Sequence, residues 1–264
     1  MIWTNILSYA LLVAAGAAAG LINSIAGGGT LVTFPTLLWL GRNPVLANAS
    51  NTIALWPGSL TGMIGFRREM AGTARIFPWL AVPSLLGGIS GAVLLVHTPE
   101  RYFSAIVPWL IFFATLLIMF QEKLRKKLAI ANPLETDPEG AARLTRPGMM
   151  VLSQYLIGLY GGYFGAGIGI LMLALLGLLG HQDLHRMNGL KNGLAMCING
   201  VAAFYFVFQG AVIWGDSLSL MAGSIVGAYG GAGLARRLGR EFVRKVVIAI
   251  GLFMTVSLFL RSGG

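Results

Sequence analysis

The sequence predicts an all-α integral membrane protein of two inverted repeats, each a glycine-broken re-entrant helical hairpin plus three transmembrane helices. Three observations lead there: an apolar composition, two long uncharged segments interrupted by glycine, and a repeated pattern around those interruptions. Of 264 residues, 56% are hydrophobic and 11% charged, against about 25% charged in ordinary soluble domains. A water-soluble domain of this length cannot hide so much apolar surface, because its core grows more slowly than its chain. Lipid is therefore the expected solvent. The 37 glycines agree, since membrane helices use Gly for close backbone approach.

The net charge of +10 does not indicate nucleic-acid binding, because the basic residues fall in short runs between long apolar segments. Such runs mark cytoplasmic loops. A single cysteine, Cys197, excludes an intramolecular disulfide and most metal-site spacings. The N-terminal residues carry no basic cluster, so the first segment is expected to stay in the mature protein.

Six segments have the length of a membrane crossing: Val45–Phe66, Ile76–Val96, Tyr102–Phe120, Asn188–Phe208, Ser217–Ala235 and Phe242–Leu260. Two others, Ile6–Leu40 and Met149–Leu179, are uncharged but too long. As unbroken helices they would run about 52 and 46 Å, against a hydrocarbon core of about 30 Å. Each contains a glycine cluster, Gly27-Gly28-Gly29 in the first and Gly161-Gly162 with Gly165, Gly167 and Gly169 in the second. Such clusters break helices, since Gly loses most backbone freedom on ordering and readily adopts positive φ.

The basic residues choose between a kinked crossing and a hairpin. If both segments cross, ten basic residues face one side and eight the other. If both are hairpins, the groups Arg67–Arg75, Lys123–Arg146, Arg186 and Arg236–Lys245 fall together, 15 residues, against Arg42, Arg101 and Arg261. Only the second arrangement obeys the positive-inside rule. It gives six full crossings and places both termini outside the cytoplasm.

The chain also repeats itself. Gly20-Leu21 through Gly27-x-Gly29 matches Gly158-Leu159 through Gly165-x-Gly167 at an offset of 138. A polar patch follows in each half, Asn48-Ala49-Ser50-Asn51-Thr52 and Asn188-Gly189-Leu190-Lys191-Asn192. Three crossings per unit invert the second unit relative to the first, an architecture common in secondary transporters. The expected units are residues 1–120 and 149–264. Between them lies a solvated cytoplasmic linker, residues 121–148, with the charge run Glu122 to Lys127.

Polar groups retained inside lipid are expensive and mark function. A broken helix presents backbone N–H groups and the positive end of a helix dipole at the start of its second half. Two inverted hairpins would aim two such ends at one midplane point and hold an anion there. Thr30 is placed to cap the first half-helix or donate to the ligand. Lys191 is the one basic residue inside an expected span; an ammonium beside backbone donors strengthens oxyanion binding, while snorkelling to the interface is the competing reading. Asn51, its counterpart in the first repeat, would orient the ligand, with Asn48 and Asn188 as secondary amides. Gly223, Gly227 and Gly231 read instead as packing glycines.

None of the nine acids falls deep in an expected span, which argues against a cation path. His181, Asp183 and His185 form too loose a group for a metal site, and no cofactor is indicated. No nucleophile or acid–base pair clusters within the spans, so an enzyme is not expected.

The run Gly20-Leu21-Ile22-Asn23-Ser24-Ile25-Ala26-Gly27-Gly28-Gly29-Thr30-Leu31, then Pro35 and Ala49-Ser50-Asn51, resembles the sulfite exporter TauE/SafE family of membrane permeases. Gly162-Tyr163-Phe164-Gly165-x-Gly167 and the Lys191 helix resemble that family's second repeat. The chain departs from the family pattern at Ser50 and at Ala166, which interrupts the second glycine run. The resemblance implies a bacterial inner-membrane transporter of small sulfur-containing anions such as sulfite, thiosulfate or organosulfonates. By position, Gly27, Gly28, Gly29, Thr30, Asn51, Gly165, Ala166, Gly167 and Lys191 become site candidates, with Asn23, Asn48 and Asn188 secondary. The expected mechanism is alternating access between the repeats, with a passive anion channel as the alternative and a membrane-embedded enzyme a distant third. The expected partners are a small anion and the bilayer; a homo-oligomer is compatible with the sequence.

Overall fold

A computed structural model describes residues 2–25, 28–65, 76–131, 147–178, 184–238 and 240–262. Among them every regular element is an α-helix. The helices are α1 (Ile2–Ile25), α2 (Thr30–Trp39), α3 (Pro44–Gly65), α4 (Phe77–His97), α5 (Glu100–Ala131), α6 (Pro147–Tyr163), α7 (Ile168–Leu178), α8 (Leu184–Phe208), α9 (Trp214–Leu238) and α10 (Arg240–Ser262). Both glycine clusters interrupt helices, between α1 and α2 and between α6 and α7.

Five described stretches are long and apolar enough to cross a membrane: Ile6–Asn23, Phe77–His97, Glu100–Lys123, Arg186–Phe208 and Glu241–Leu260. The first broken segment opens with a helix of 24 residues, about 36 Å long. Helices α3 and α9, with 22 and 25 residues, also have the length of a crossing. Both carry buried polar residues, Asn48, Ser50 and Asn51 in α3, and Asp216, Ser217 and Ser224 in α9.

Helix α5 has 32 residues and continues through the charge run to Ala131, past the expected unit boundary at residue 120. Glu, Lys, Arg, Leu and Ala are good helix formers, so the chain has no local reason to stop at the apolar edge. The turn-rich stretch 132–146, Arg67, Arg68 and Arg75 lie outside the described residues.

The most extensive packing joins α1 to α9 and α4 to α6. Both pairs approach backbone to backbone. A β-carbon at Gly16 or Gly20 would collide with the Leu220 or Ser224 carbonyl, and one at Gly223 or Gly227 with that of Val13 or Ala17. In the other pair, Gly87 and Gly91 face the carbonyls of Tyr155 and Leu159, and Gly162 faces that of Gly88. The packing role read for Gly223 and Gly227 is thus their actual one; the surroundings of Gly231 lie outside the described side chains. Helix α3 packs on α8 and α9, α8 also on α4, α5 on α10 and α7, and α2 on α3 and α10.

The core is aromatic and aliphatic, with Phe34, Phe103, Phe164 and Phe206 fully enclosed. Outside, Phe208, Tyr229 and Leu260 are 75, 78 and 75% exposed. Apolar side chains so open to the surroundings fit contact with lipid.

Candidate functional site

The first break is built by Gly28 and Gly29; Gly27 lies outside the described residues. Gly28 has φ of 100°, a conformation only Gly adopts without strain, and a β-carbon there would lie 2.6 Å from Ile118 Cδ1. Gly29 abuts α1: a β-carbon would sit 2.7 Å from Asn23 Nδ2 and 2.8 Å from the Ala19 carbonyl oxygen. Its amide donates to Asn23 Oδ1 at 2.8 Å. Gly29, not Thr30, holds the N-cap position of α2, and no side chain caps it there. Thr30 is instead the first helical residue. Leu31 and Val32 donate to the Gly28 and Gly29 carbonyls at 3.0 Å each. Several amides expected to await a ligand are therefore engaged by Asn23 and by a tightened first turn.

Asn51 is 2% exposed and accepts from the Thr33 hydroxyl through Oδ1. Thr33 also reaches the Gly29 carbonyl oxygen at 3.2 Å. So Asn51 stands against the first turn of α2. Thr33, fully buried, escaped the sequence reading, because a threonine in an apolar helix ordinarily bonds its own preceding turn. Only its spacing of four from Gly29 hinted at the break.

The second break carries positive φ at Gly165 (80°) and Gly167 (81°). Between them Ala166 is 1% exposed, and its carbonyl accepts from the Tyr160 hydroxyl at 2.7 Å. A β-carbon at Gly167 would lie 3.3 Å from Leu117 Cδ1 and 3.8 Å from Ala114 Cα. Lys191 is half-buried. Its Nζ donates to Asn188 Oδ1 at 3.2 Å, and its stem covers Gly169, where a β-carbon would stand 3.2 Å from Lys191 Cδ. Lys191 thus lies on the first turn of α7, as Asn51 lies on that of α2.

The two breaks meet. Both rest on one stretch of α5, Gly28 at Ile118 and Gly167 at Leu117 and Ala114. Phe34 of α2 stands edge-on to Phe164 with centroids 5.4 Å apart. Asn48, fully buried, donates through Nδ2 to the Tyr163 carbonyl at 2.9 Å, while its Oδ1 has no partner. Side chains on successive turns of α3 therefore reach both breaks. Further along α3, Trp56 Nε1 is buried without a partner at the backbone of Gly200 on α8, and Asn199 Nδ2 reaches Ser59 Oγ at 3.5 Å.

One acid is buried at a helix end. Asp216, in the first turn of α9, is 1% exposed and takes a two-pronged contact from Arg42, Nε to Oδ2 at 2.6 Å and Nη2 to Oδ1 at 3.1 Å. The pair closes the α2–α3 connection onto α9, away from both breaks. His181 and Asp183 lie outside the described residues. Among the described residues no group of three His, Cys, Asp or Glu is arranged to hold a metal.

The family model described as "Sulfite exporter TauE/SafE" matches residues 12–258, nearly the whole chain. The chain belongs to the sulfite exporter TauE/SafE family. Its relatives include a probable membrane transporter protein of Haemophilus influenzae, 29% identical over 255 residues, covering 96% of this chain and 95% of that one. The probable membrane transporter protein YfcA of Escherichia coli is 26% identical over 247 residues, 93% of this chain and 87% of that one. A third, probable membrane transporter protein ORF9 of a Sinorhizobium species, is 29% identical over 253 residues, 94% and 91% of the two chains. No solved structure matches the chain significantly. Membership makes this TauE/SafE protein a multi-pass membrane transporter and not an enzyme.

Proposed function

We propose that this TauE/SafE protein carries small sulfur-containing anions (sulfite, thiosulfate or an organosulfonate) across the bacterial inner membrane by alternating access. The observation that carries the reading is the convergence of two backbone breaks, one from each half of the chain, on Ala114 to Ile118 of α5. The substrate binds there. The first turns of α2 and α7 supply positive dipole ends, Lys191 supplies the ammonium, and Asn51 orients the anion. An oxyanion presents several acceptors and no fixed donor, which suits a site of N–H groups.

The helix pairing supports two inverted repeats, residues 1–120 and 149–264. Exchanging the halves maps α1 on α9 into α6 on α4, α3 on α9 into α8 on α4, and α2 on α10 into α7 on α5. The re-entrant reading draws support from the short second limbs. Helices α2 and α7 have 10 and 11 residues, about 15 to 17 Å, half a hydrocarbon core. The 15-against-three distribution of basic residues favours a cytoplasmic linker at 121–148 and both termini in the periplasm.

Sulfite flux into proteoliposomes tests this. Flux should saturate and be stimulated by sulfite on the far side, whereas a passive channel would do neither. Lys191→Ala should lower kcat/KM for flux about ten- to 100-fold, the loss of one charge-assisted bond. Unchanged flux in that variant would remove Lys191 from the site.

A further inference from the structure

We propose that the bodies that move during transport are not the two sequence halves but two groups exchanged between them. One comprises α1, α2, α3 and α9; the other α4, α6, α7 and α8. The inference rests on the alternating-access reading and says which helices travel together.

Each group is built around a helix pair joined backbone to backbone. In the first, Gly16 and Gly20 of α1 receive carbonyls of α9, and Gly223 and Gly227 of α9 receive carbonyls of α1. Four reciprocal recesses along two helices cannot slide without driving carbonyls into Cα atoms, and close-packed surfaces of this kind move as units. Hydrogen bonds pin the same group. Ser50 Oγ accepts from the Ile213 amide at 2.8 Å, and Ser217 Oγ donates to the Ser50 carbonyl at 3.2 Å, tying α3 to the start of α9. Arg42 and Asp216 clamp the end of α2 to the same helix.

The second group repeats the design. Gly87, Gly91 and Gly162 lock α4 to α6. Gln154, 1% exposed, donates to Ser84 Oγ at 2.7 Å, and the Tyr155 hydroxyl donates to Ser90 Oγ at 3.2 Å. Gly88 seats α8, since a β-carbon there would lie 3.0 Å from the Ile198 carbonyl oxygen. Each of these joints connects residues from different halves of the sequence.

Between the groups the named contacts are made by side chains: Asn48 on the Tyr163 carbonyl, Asn199 near Ser59, Phe34 against Phe164, Trp56 over Gly200. Side-chain contacts can be remade in a second arrangement, whereas interlocked backbones cannot, so motion follows the seam. At that seam Phe34 of α2 and Asn48 of α3 meet the second break at Phe164 and Tyr163. Helices α5 and α10, packed together through Gly251 and Thr115, underlie it.

Paired cysteines in a Cys197→Ser background test the assignment. Ser90→Cys with Tyr155→Cys joins α4 to α6, different halves but one proposed body. Ser59→Cys with Asn199→Cys joins α3 to α8 across the seam. After bridging with a short bifunctional thiol reagent, the first pair should keep sulfite flux within about two-fold and the second lose more than about ten-fold, restored by cleaving the bridge. Flux abolished by the α4–α6 bridge, or unaffected by the seam bridge, would overturn the proposal.

Spin-label distances give a readout free of any substrate. Leu11 with Leu218, on α1 and α9, should show one narrow distance; Leu11 with Leu152, on α1 and α6, should shift or split when sulfite or a pH gradient is applied. A split first pair, or a second pair that stays single and fixed, would also overturn the proposal. Unbridged protein without sulfite flux would remove sulfite as substrate, while these distances still decide which helices move together.

Discussion

Asn48 Nδ2 donates to the Tyr163 carbonyl oxygen at 2.9 Å, joining residues 115 positions apart at the point where the second helix break begins. The bond fixes the orientation of the Asn48 amide, because the carbonyl can only accept. Its Oδ1 is left buried and unpartnered. Asn48→Ala should destabilise the protein by about 1–3 kcal/mol, the cost of a buried carbonyl losing its donor. Thermal unfolding in detergent measures this, and an unshifted transition would show that the seam does not depend on the bond.

Thr33 and Asn51 should behave as one unit. Thr33→Val and Asn51→Ala each remove the same hydrogen bond between α2 and α3, so the double variant should be less damaged than the sum of the singles. The coupling expected for contacting polar residues is about 0.5–3 kcal/mol. A double-mutant cycle on stability and on flux gives the value. Strict additivity would mean that the two side chains act separately.

The glycine joints make a graded prediction. Gly227→Ala and Gly91→Ala put a β-carbon into a neighbouring backbone and should each cost at least about 1–3 kcal/mol, the range for overpacking. Gly58→Ala and Gly148→Ala meet nothing within 4 Å and should stay within about 0.5 kcal/mol or gain up to about 1 from helix propensity. Expression with thermal unfolding ranks the four. Equal behaviour of both pairs would contradict the close approach of α1 to α9 and α4 to α6.

The Arg42–Asp216 pair should be asymmetric. Asp216 is 1% exposed and the Arg42 side chain 35%. Arg42→Ala strands a buried carboxylate, and breaking a buried pair costs about 3–5 kcal/mol, with the partial exposure of Arg42 placing this one at the lower end. Asp216→Ala leaves an arginine free to turn toward water and should cost less. The order of the two melting temperatures decides; the reverse order would mean that Asp216 is solvated in the native state.

Much of the candidate site was readable because lipid makes polar residues conspicuous. Lys191 stood out as one charge in an apolar span, and Asn51 as part of a patch recurring after each break. Thr33 did not, since nothing local distinguishes a threonine bonded to its own turn from one reaching α3. Asn23 was read as part of a motif, and its hold on the Gly29 amide appears only once α2 folds back on α1. The match of Gly87 and Gly91 to Gly223 and Gly227 was equally hidden, because a spacing of four marks glycines for packing without saying which helix they meet.

The sequence by itself determined the solvent, the helical class and the breaks, because apolar content, span length and glycine clustering are properties of consecutive residues. Tertiary structure alone decided that α1 locks to α9 and α4 to α6, that Arg42 meets Asp216 174 positions away, and that both breaks settle on one stretch of α5. Those are pairings between surfaces far apart in the chain. Their selection depends on which recess receives which carbonyl, information that exists only when the helices are packed.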